Sequence, residues 1–406
     1  MSAPRLVIVD GVRTPFCKWN TSLATLAADE LGRVAVSALL TRTGIDPQKI
    51  DEVIFGCVAQ PAEAANIARV IALRAGIPES VPAVTVHRNC ASGFEAVTTA
   101  QERMAAGRGS VFIVGGTESM SQVPLLYQPK AAKKFAALGG AKTALKKLGA
   151  LGKFRFSDFE PRVALKLGLT DPVSGLNMGE TAEILARENG ISREMQDEFA
   201  VQSHQRAIAA REMFSAEICP VYVNGKAVTE DNGPRTDTSP AALGKLKPAF
   251  DRRYGTVTPG NSSQITDGAV ALLVMTEGKA AELGFTQPLG RLAEYAYTGC
   301  DPARMGLGPV SAIRKVGRPV ADADLIEINE AFAAQVLAVV KTLGDVPREK
   351  LNVNGGAIAL GHPVGATGAR LVLGALKELQ RRQGRRALVS LCVGGGQGGA
   401  LWLERP

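Results

Sequence analysis

Two cysteines and one histidine stand beside glycine-containing turns, where side chains can meet a substrate closely, and one asparagine closes a strand. Cys90 follows the strand-like Val84-Thr85-Val86 and precedes Ala91-Ser92-Gly93, which opens a helix-like run. A helix start presents unpaired N–H groups and a positive dipole end, which favours thiolate over thiol and lowers a cysteine pKa from about 8.5. Ser92 and Gly93 allow close approach of another backbone; a buried structural cysteine is the alternative reading. His362 lies in the glycine-rich stretch Asn354 to Gly368. An imidazole there can hold a proton near neutral pH and pair with a thiolate, or it can simply cap a helix. Cys392 ends the strand-like Ala387 to Leu391 and is followed by Val393-Gly394-Gly395-Gly396-Gln397-Gly398-Gly399. Gly394, Gly396 and Gly399 formally match a dinucleotide fingerprint. The next residues, Ala400 to Leu403, read as a strand, so no helix follows to receive a pyrophosphate. Free N–H groups forming an anion pocket beside Cys392 are the better expectation. Asn329 closes the strand Ile326-Glu327-Ile328, where its amide can hold a water or a carbonyl, or cap the following helix.

Short apolar runs alternate with helical patterns at both ends of the chain, the pattern of a layered α/β fold. The two ends also repeat one another. Ile45-Asp46-Pro47 leading into Ile50 to Gly56 has a counterpart in Ala321 to Asp324 leading into Leu325 to Asn329. The segment from Asn89 through a helix to Gly107 and the strand Val111 to Gly116 has one in Gly355 through His362 and a helix to Gly384 and the strand Ala387 to Cys392. A duplicated fold explains both and puts Cys90 and His362 on equivalent loops. The expected division is an N-terminal half over 1–123 and 255–280, a C-terminal half over 281–406, and a folded excursion over 124–254. Within the excursion the helical pattern runs from Gly179 to Arg211, with Asp197, Glu198 and Arg206 at solvent-like positions.

The chain has 406 residues, 46% hydrophobic and 21% charged, with no low-complexity tract; it is long enough for several domains and too apolar for disorder. Lys and Arg number 47 against 39 Asp and Glu, a formal +8. The whole excess lies in residues 129–166, which hold ten basic side chains and two acidic ones. The remainder is balanced, so no nucleic-acid footprint is expected. Phe135, Leu138, Leu145, Leu148 and Leu151 recur among these lysines in an amphipathic pattern interrupted by Gly139-Gly140. That pattern suits docking to a partner subunit or an anionic bilayer, with a solvated face as the alternative. Six scattered cysteines and three unrelated histidines fit a reducing compartment and no metal. The strand-like Leu6 to Val9 begins too early for a signal or transit peptide, Glu-Arg-Pro is no peroxisomal address, and no apolar run spans a bilayer. A cytoplasmic location is the expectation.

Taken together, these sites resemble the thiolases. Asn89-Cys90-Ala91-Ser92-Gly93 is similar to the family's nucleophile motif, Asn329-Glu330-Ala331-Phe332 to its NEAF motif, Gly361-His362-Pro363 to its GHP motif and Cys392-Val393-Gly394-Gly395-Gly396 to its CxGGG motif. The resemblance implies a five-layer α-β-α-β-α fold of two duplicated halves plus a loop domain. It implies that Cys90, activated by His362, attacks the 3-keto carbon of a 3-ketoacyl-CoA, and that Cys392 handles the proton of the acetyl-CoA enolate and of incoming CoA. His362 with a water held by Asn329 would stabilise one oxyanion, and the N–H groups of Cys90 and Gly394 the other. Lys245 to Phe250, Gly260 to Ser263 and Asp267 to Ala269 resemble CoA-binding segments, with Ser263 at the pantetheine and Arg235 at the nucleotide end. Phe250, Met178 and Phe332 would join them. Asn177 stands where similar short-chain biosynthetic enzymes carry a histidine touching the pantetheine, which argues against strict acetoacetyl-CoA specificity. The basic stretch is more like the loop of the thiolase subunit in fatty-acid-oxidation complexes. CoA is implied as substrate, with no bound cofactor, and a homodimer or homotetramer is implied as the assembly. A decarboxylating ketoacyl synthase needs a second active-site histidine that His87 and His204 do not provide. A silent complex-forming subunit sits badly with four intact motifs. Degradative and synthetic use remain open.

Overall fold

The computed structural model describes residues 5–405. In chain order the first half contributes β1 (Leu6–Arg13), β2 (Cys17–Lys18), α1 (Ala28–Thr43), β3 (Glu52–Gly56), α2 (Ile67–Arg74), β4 (Ala83–Val86), α3 (Ser92–Ala105) and β5 (Val111–Ser119). Helices α4 (Pro129–Gly139), α5 (Ala144–Leu151), α6 (Met178–Glu188) and α7 (Arg193–Ala209) follow, and then β6 (Thr266–Thr276). The second half contributes β7 (Gly290–Gly299), α8 (Gly308–Val316), β8 (Leu325–Ile328), α9 (Ala333–Leu343), α10 (Ala357–Leu360), α11 (Val364–Arg382), β9 (Arg386–Val393) and β10 (Gln397–Glu404).

The described residues pair these strands in the order β8-β9-β10-β7-β1-β6-β5-β3-β4, with β2 on β6. The repeat read from the sequence is written into this order. In the first half β3 pairs parallel with β4 and β5, then β5, β6 and β1 run antiparallel. In the second, β8 pairs parallel with β9 and through a bridge with Leu351, then β9, β10 and β7 run antiparallel. The halves join where β1 meets β7 over Val7 and Ile8.

Side-chain alternation along the strands makes five layers. Val270, Leu272 and Val274 of β6 share a buried cluster with α3 and α11, whereas Ala269, Ala271, Leu273 and Met275 share another with α1 and α2. In β9, Ala387, Val389, Leu391 and Val393 face the α3 and α11 cluster, while Leu388 and Cys392 face one built with α6, α7, α8 and α9. The central layer is thus the helix pair α3 and α11, one from each half. They touch at glycine: a Cβ on Gly93 would lie 2.5 Å from the Ala369 nitrogen, and one on Gly368 would lie 2.5 Å from the Phe94 nitrogen.

The excursion differs from the sequence expectation. Residues 123–170 form a compact unit of their own, whereas 171–254 belong to the body that carries both halves. In that body α6 and α7 pack on α9. The helical stretch expected from Gly179 to Arg211 is divided at Asn189-Gly190, where Gly190 adopts φ 60°. Asp197 is buried rather than solvent-facing, because its carboxylate accepts hydrogen bonds from Arg193 Nε at 2.7 Å and Asn261 Nδ2 at 2.9 Å. Glu198 is exposed as expected, and Arg206 donates to the Leu351 and Asn352 carbonyls.

Within the 123–170 unit, Tyr127, Phe154 and Phe159 surround Phe135, and Lys134 donates to the buried Asp158 at 2.6 Å. Helix α4 ends at Gly139, as the glycine pair predicts. Helix α5 buries none of its residues: Leu145 is 82% and Leu148 68% exposed.

The glycine contact carries a direct expectation. Gly93→Ala forces backbone apart in the central layer and is expected to lower stability by about 1–3 kcal/mol, whereas Gly374→Ala, in the same α11 but with open space at its Cβ, should be neutral or gain up to about 1 kcal/mol. Thermal unfolding of the two variants side by side checks this.

Candidate active site

Cys90 lies in the turn between β4 and α3. Ala91 N donates to Arg88 O at 2.9 Å and Ser92 N to Asn89 O at 3.0 Å, so the chain reverses tightly and delivers the thiol at the mouth of the helix. The capping residue of α3 is Ala91, which leaves Cys90 one position before the helix proper. Two N–H groups, that of Gly394 and that of Cys90 itself, hydrogen-bond to the sulfur and pull its pKa down. Burial is the larger influence and leaves the thiol above its ordinary value. The lowered pKa expected from the helix start is therefore corrected: at rest Cys90 is a thiol, and a base must take its proton.

The N–H of Gly394 comes from the turn between β9 and β10. Gly395 and Gly396 hold φ of 87° and 78°, conformations open to glycine at no steric cost. A Cβ on Gly396 would also strike the Cys300 carbonyl at 2.4 Å. β10 follows directly, so the dinucleotide reading fails in the structure as it does in the sequence. Cys392 sits just before this turn, fully buried. Burial first, and then the neighbouring Cys90, push its thiol well above the ordinary value, so it holds a proton until a base forms beside it.

His362 opens the first turn before α11. Its N–H donates to Gln264 O at 3.1 Å and to Thr266 Oγ1 at 3.2 Å, which ties it to the start of β6. Nδ1 lies 2.6 Å from Thr367 Oγ1, and that hydroxyl donates to the Pro363 carbonyl at 3.0 Å. The hydroxyl proton being committed, Thr367 accepts from Nδ1–H, and this network assigns the tautomer with a bare, basic Nε2. Nε2 is buried with no partner among the described residues. Burial, with a contribution from Arg370, pushes the imidazole pKa down to about 4, so His362 is neutral at pH 7.

Asn329 N donates to Ser390 O at 2.9 Å at the end of β8. Its side chain is buried, and neither Oδ1 nor Nδ2 has a partner among the described residues. Buried amides are nearly always hydrogen-bonded, so both atoms are available to a ligand or a solvent molecule, and Asn329 is not a helix cap. The strip 261–264 joins these pieces: Ser263 N donates to Ala331 O at 2.9 Å, Ala333 N to Asn261 O at 2.9 Å, and Gln264 O receives the His362 N–H. Ser263 and Phe332 are thereby brought to the same wall. Phe332 meets Phe250 edge-on, centroids 6.1 Å apart, and the Phe250 ring lies where a Cβ on Gly179 would be. Met178 Sδ comes within 3.5 Å of a Cβ built on Gly394. Asn177 is committed elsewhere: Oδ1 accepts from Gly179 N at 3.0 Å, capping α6. Arg235 is half-exposed and donates its backbone N–H to His204 Nδ1 at 3.2 Å. No group of three or more His, Cys, Asp or Glu among the described residues is placed to hold a metal ion.

Sequence reading missed the residues that brace the site. Thr367 carried one signal, its place one helical turn beyond His362. Glu118 carried none: its buried carboxylate accepts from Val58 N, Ala59 N and Gly365 N at 2.8–3.1 Å, three donors scattered over both halves. Glu330 likewise accepts from Ser203 Oγ, Asn352 Nδ2 and Ile358 N, fixing the loop that leads to His362.

The chain is similar to known proteins along nearly its whole length. The family described as "Thiolase, N-terminal domain" matches residues 6–278 and "Thiolase, C-terminal domain" matches 286–405. The chain is 45% identical to the acetyl-CoA acetyltransferase of Escherichia coli (strain K12), over 98% of both chains. It is 41% identical to the 3-ketoacyl-CoA thiolase of Serratia proteamaculans (strain 568), over 98% of this chain and 97% of that one. Among solved structures, the Bacillus anthracis acetyl-CoA acetyltransferase superposes with a TM-score of 0.90 at 39% identity, covering 100% of this chain and 99% of that one. Human mitochondrial 3-ketoacyl-CoA thiolase in complex with CoA gives 0.89 at 37%, covering 100% and 98%.

The Thr367 contact is testable by turnover of acetoacetyl-CoA with CoA. Thr367→Val keeps the shape and removes the acceptor for Nδ1–H; kcat should fall about 10–100-fold, the cost of one buried hydrogen bond, while Thr367→Ser should stay near wild type.

Proposed function

Because the chain belongs to the thiolase family and is an acyltransferase working between CoA thioesters, we propose that its site cleaves 3-ketoacyl-CoA with CoA, and runs the reverse condensation, through an acyl-Cys90 intermediate. The observation that carries this reading is the pair of buried, unpartnered polar groups, His362 Nε2 and the Asn329 amide, and it is supported by the influence of the Gly394 and Cys90 N–H groups on the Cys90 thiol and of Cys90 on the Cys392 thiol. His362 Nε2 takes the Cys90 proton as sulfur attacks C3, and the two N–H groups receive the oxyanion. The C2–C3 bond then breaks, and its electron pair passes to the acetyl-CoA enolate. The enolate oxygen is held by His362 Nε2–H with Asn329, and Cys392 gives its proton to the enolate carbon. The resulting Cys392 thiolate deprotonates incoming CoA, whose sulfur attacks the acyl-Cys90 thioester; the C–S bond to Cys90 breaks, the shortened acyl-CoA leaves, and the Cys90 thiolate takes back the proton held by His362. Two thiols raised by burial suit this division, since each gives up its proton only to a partner formed during the reaction.

Ser263, Phe250, Met178 and Phe332 are the wall proposed for the pantetheine and acyl chain, with Arg235 toward the nucleotide. Asn177, standing where similar short-chain biosynthetic enzymes carry a histidine, supports a site not restricted to acetoacetyl-CoA and a place in fatty-acid β-oxidation; short-chain acetyl transfer in biosynthesis is the second reading, favoured by the acetyltransferase names of several relatives. A cytoplasmic enzyme is proposed, assembling as a homodimer or homotetramer. Strand β4 ends the sheet with one edge unpaired, which suits self-association.

For the 129–166 segment we favour peripheral contact with an anionic bilayer over a β-oxidation partner subunit. No helix among the described residues is long and apolar enough to cross a membrane, but α5 and its flank expose Leu145, Leu148, Leu151 and Phe156 beside lysines.

Thiolysis should disappear in Cys90→Ala, below about one-thousandth of wild type, and Cys392→Ala should still accept an acyl group on Cys90 but turn over slowly. A C4 to C16 series of 3-ketoacyl-CoAs reads the chain-length range; activity surviving Cys90→Ala sinks the mechanism. Wild type should co-sediment with vesicles rich in phosphatidylglycerol, and Lys142, Lys146, Lys147 and Lys153 changed together to Glu should abolish it. A wild type that ignores such vesicles overturns the bilayer assignment.

A further inference from the structure

Asn89, immediately before the nucleophile, has φ 44°, the left-handed region that asparagine tolerates better than other residues with a Cβ. The backbone turn there sends its side chain away from α3 and across to the other half of the molecule. Asn89 Nδ2 donates to the Gly394 carbonyl at 2.7 Å. Gly394 is the residue whose N–H meets the Cys90 sulfur. Its neighbours Gly395 and Gly396 have positive φ and no side chains to stiffen them. The turn's far end is tied by backbone, Cys300 N to Gly396 O at 2.7 Å. Val393 is fixed in β9 by pairing with Gln397. The Gly394 torsions, which aim its N–H, are bracketed by β9 on one side and the Asn89 amide on the other.

We infer that Asn89 is a positioning residue of this site: its side-chain amide pins the Gly394 carbonyl across the boundary between the halves, and so holds the Gly394 N–H on the Cys90 sulfur and on the oxyanion formed beside it. The inference rests on the proposed roles of Cys90 and Gly394. It also couples the loops of the two reactive cysteines, since the residue that precedes the nucleophile steadies the turn that follows Cys392.

Two substitutions remove the pin by different means. Asn89→Gly keeps the left-handed turn and deletes the amide. Asn89→Asp keeps the turn and the side-chain shape but presents oxygen to the Gly394 carbonyl. Both should lower kcat for thiolysis of acetoacetyl-CoA about tenfold, the scale of one lost hydrogen bond, with KM for CoA within about twofold because CoA contacts are not altered. A merely structural tie would not move the titration of Cys90. With the pin lost, the pH at which iodoacetamide alkylation of Cys90 is half-maximal should rise by about half a unit or more in Asn89→Gly, because the N–H that favours thiolate is no longer aimed. If Asn89→Gly lowers the melting temperature, Asn89→Asp and the alkylation profile still decide. Wild-type kcat and an unshifted alkylation profile in both variants overturn the inference. Absence of any acyl-Cys90 in the wild type would instead overturn the proposed function, so the two failures are distinguishable.

Discussion

The site depends on the contact of two helices that carry no side chain where they meet. Gly93 of α3 and Gly368 of α11 come so close that a methyl group on either would overlap the partner's backbone. This contact lies in the central layer, covered by the strands of the first half on one side and of the second on the other, and it brings together the N-terminal ends of one helix from each half. Cys90 precedes the first and His362 the second, so the duplication sets one residue of the proposed chemistry on each half. Gly116, against which the Gly365 carbonyl rests at 2.0 Å from a notional Cβ, and Glu118, which accepts the Gly365 N–H, extend the same close packing to the start of α11.

Desolvation sets the electrical state of what is brought together. Both cysteines are pushed up and the imidazole is pushed down, so the two thiols and the imidazole are uncharged at rest. An ion pair of thiolate and imidazolium in such surroundings gains little until an acceptor for charge is present. The acceptors built in are N–H groups and an unpartnered amide: Gly394 and Cys90 on one side, Asn329 on the other. In the proposed mechanism charge is therefore favoured where a substrate carbonyl becomes an oxyanion, and the surrounding glycines and braces would keep those donors in place beforehand.

Much of this was legible in the sequence, for reasons of chemistry and of range. The four motifs are local, and three of them set a reactive residue beside glycines in a tight turn. The repeat was legible because strand and helix periodicities recur in the same order. What escaped was of two kinds. Some residues have partners far along the chain, as with Asn89 and Gly394 at 305 positions or Glu118 and Gly365 at 247, and a polar residue does not announce where its hydrogen bond ends. Others were misjudged by type. Asp197 looks like a surface acid and is a buried strut, and Cys90, which precedes a helix start, has its pKa raised by burial more than the Gly394 and Cys90 N–H groups lower it.

The central claim is that the two halves converge to make Cys90, and not the adjacent Cys392, the residue that carries the acyl group. Rapid acid quenching of the enzyme with acetyl-CoA, followed by mass spectrometry of the cysteine-containing peptides, tests it most directly. The account predicts a single acetyl thioester on the Cys90 peptide, formed within one turnover and discharged by added CoA. An acetyl group on Cys392, or turnover with no acetylated cysteine at all, would contradict it.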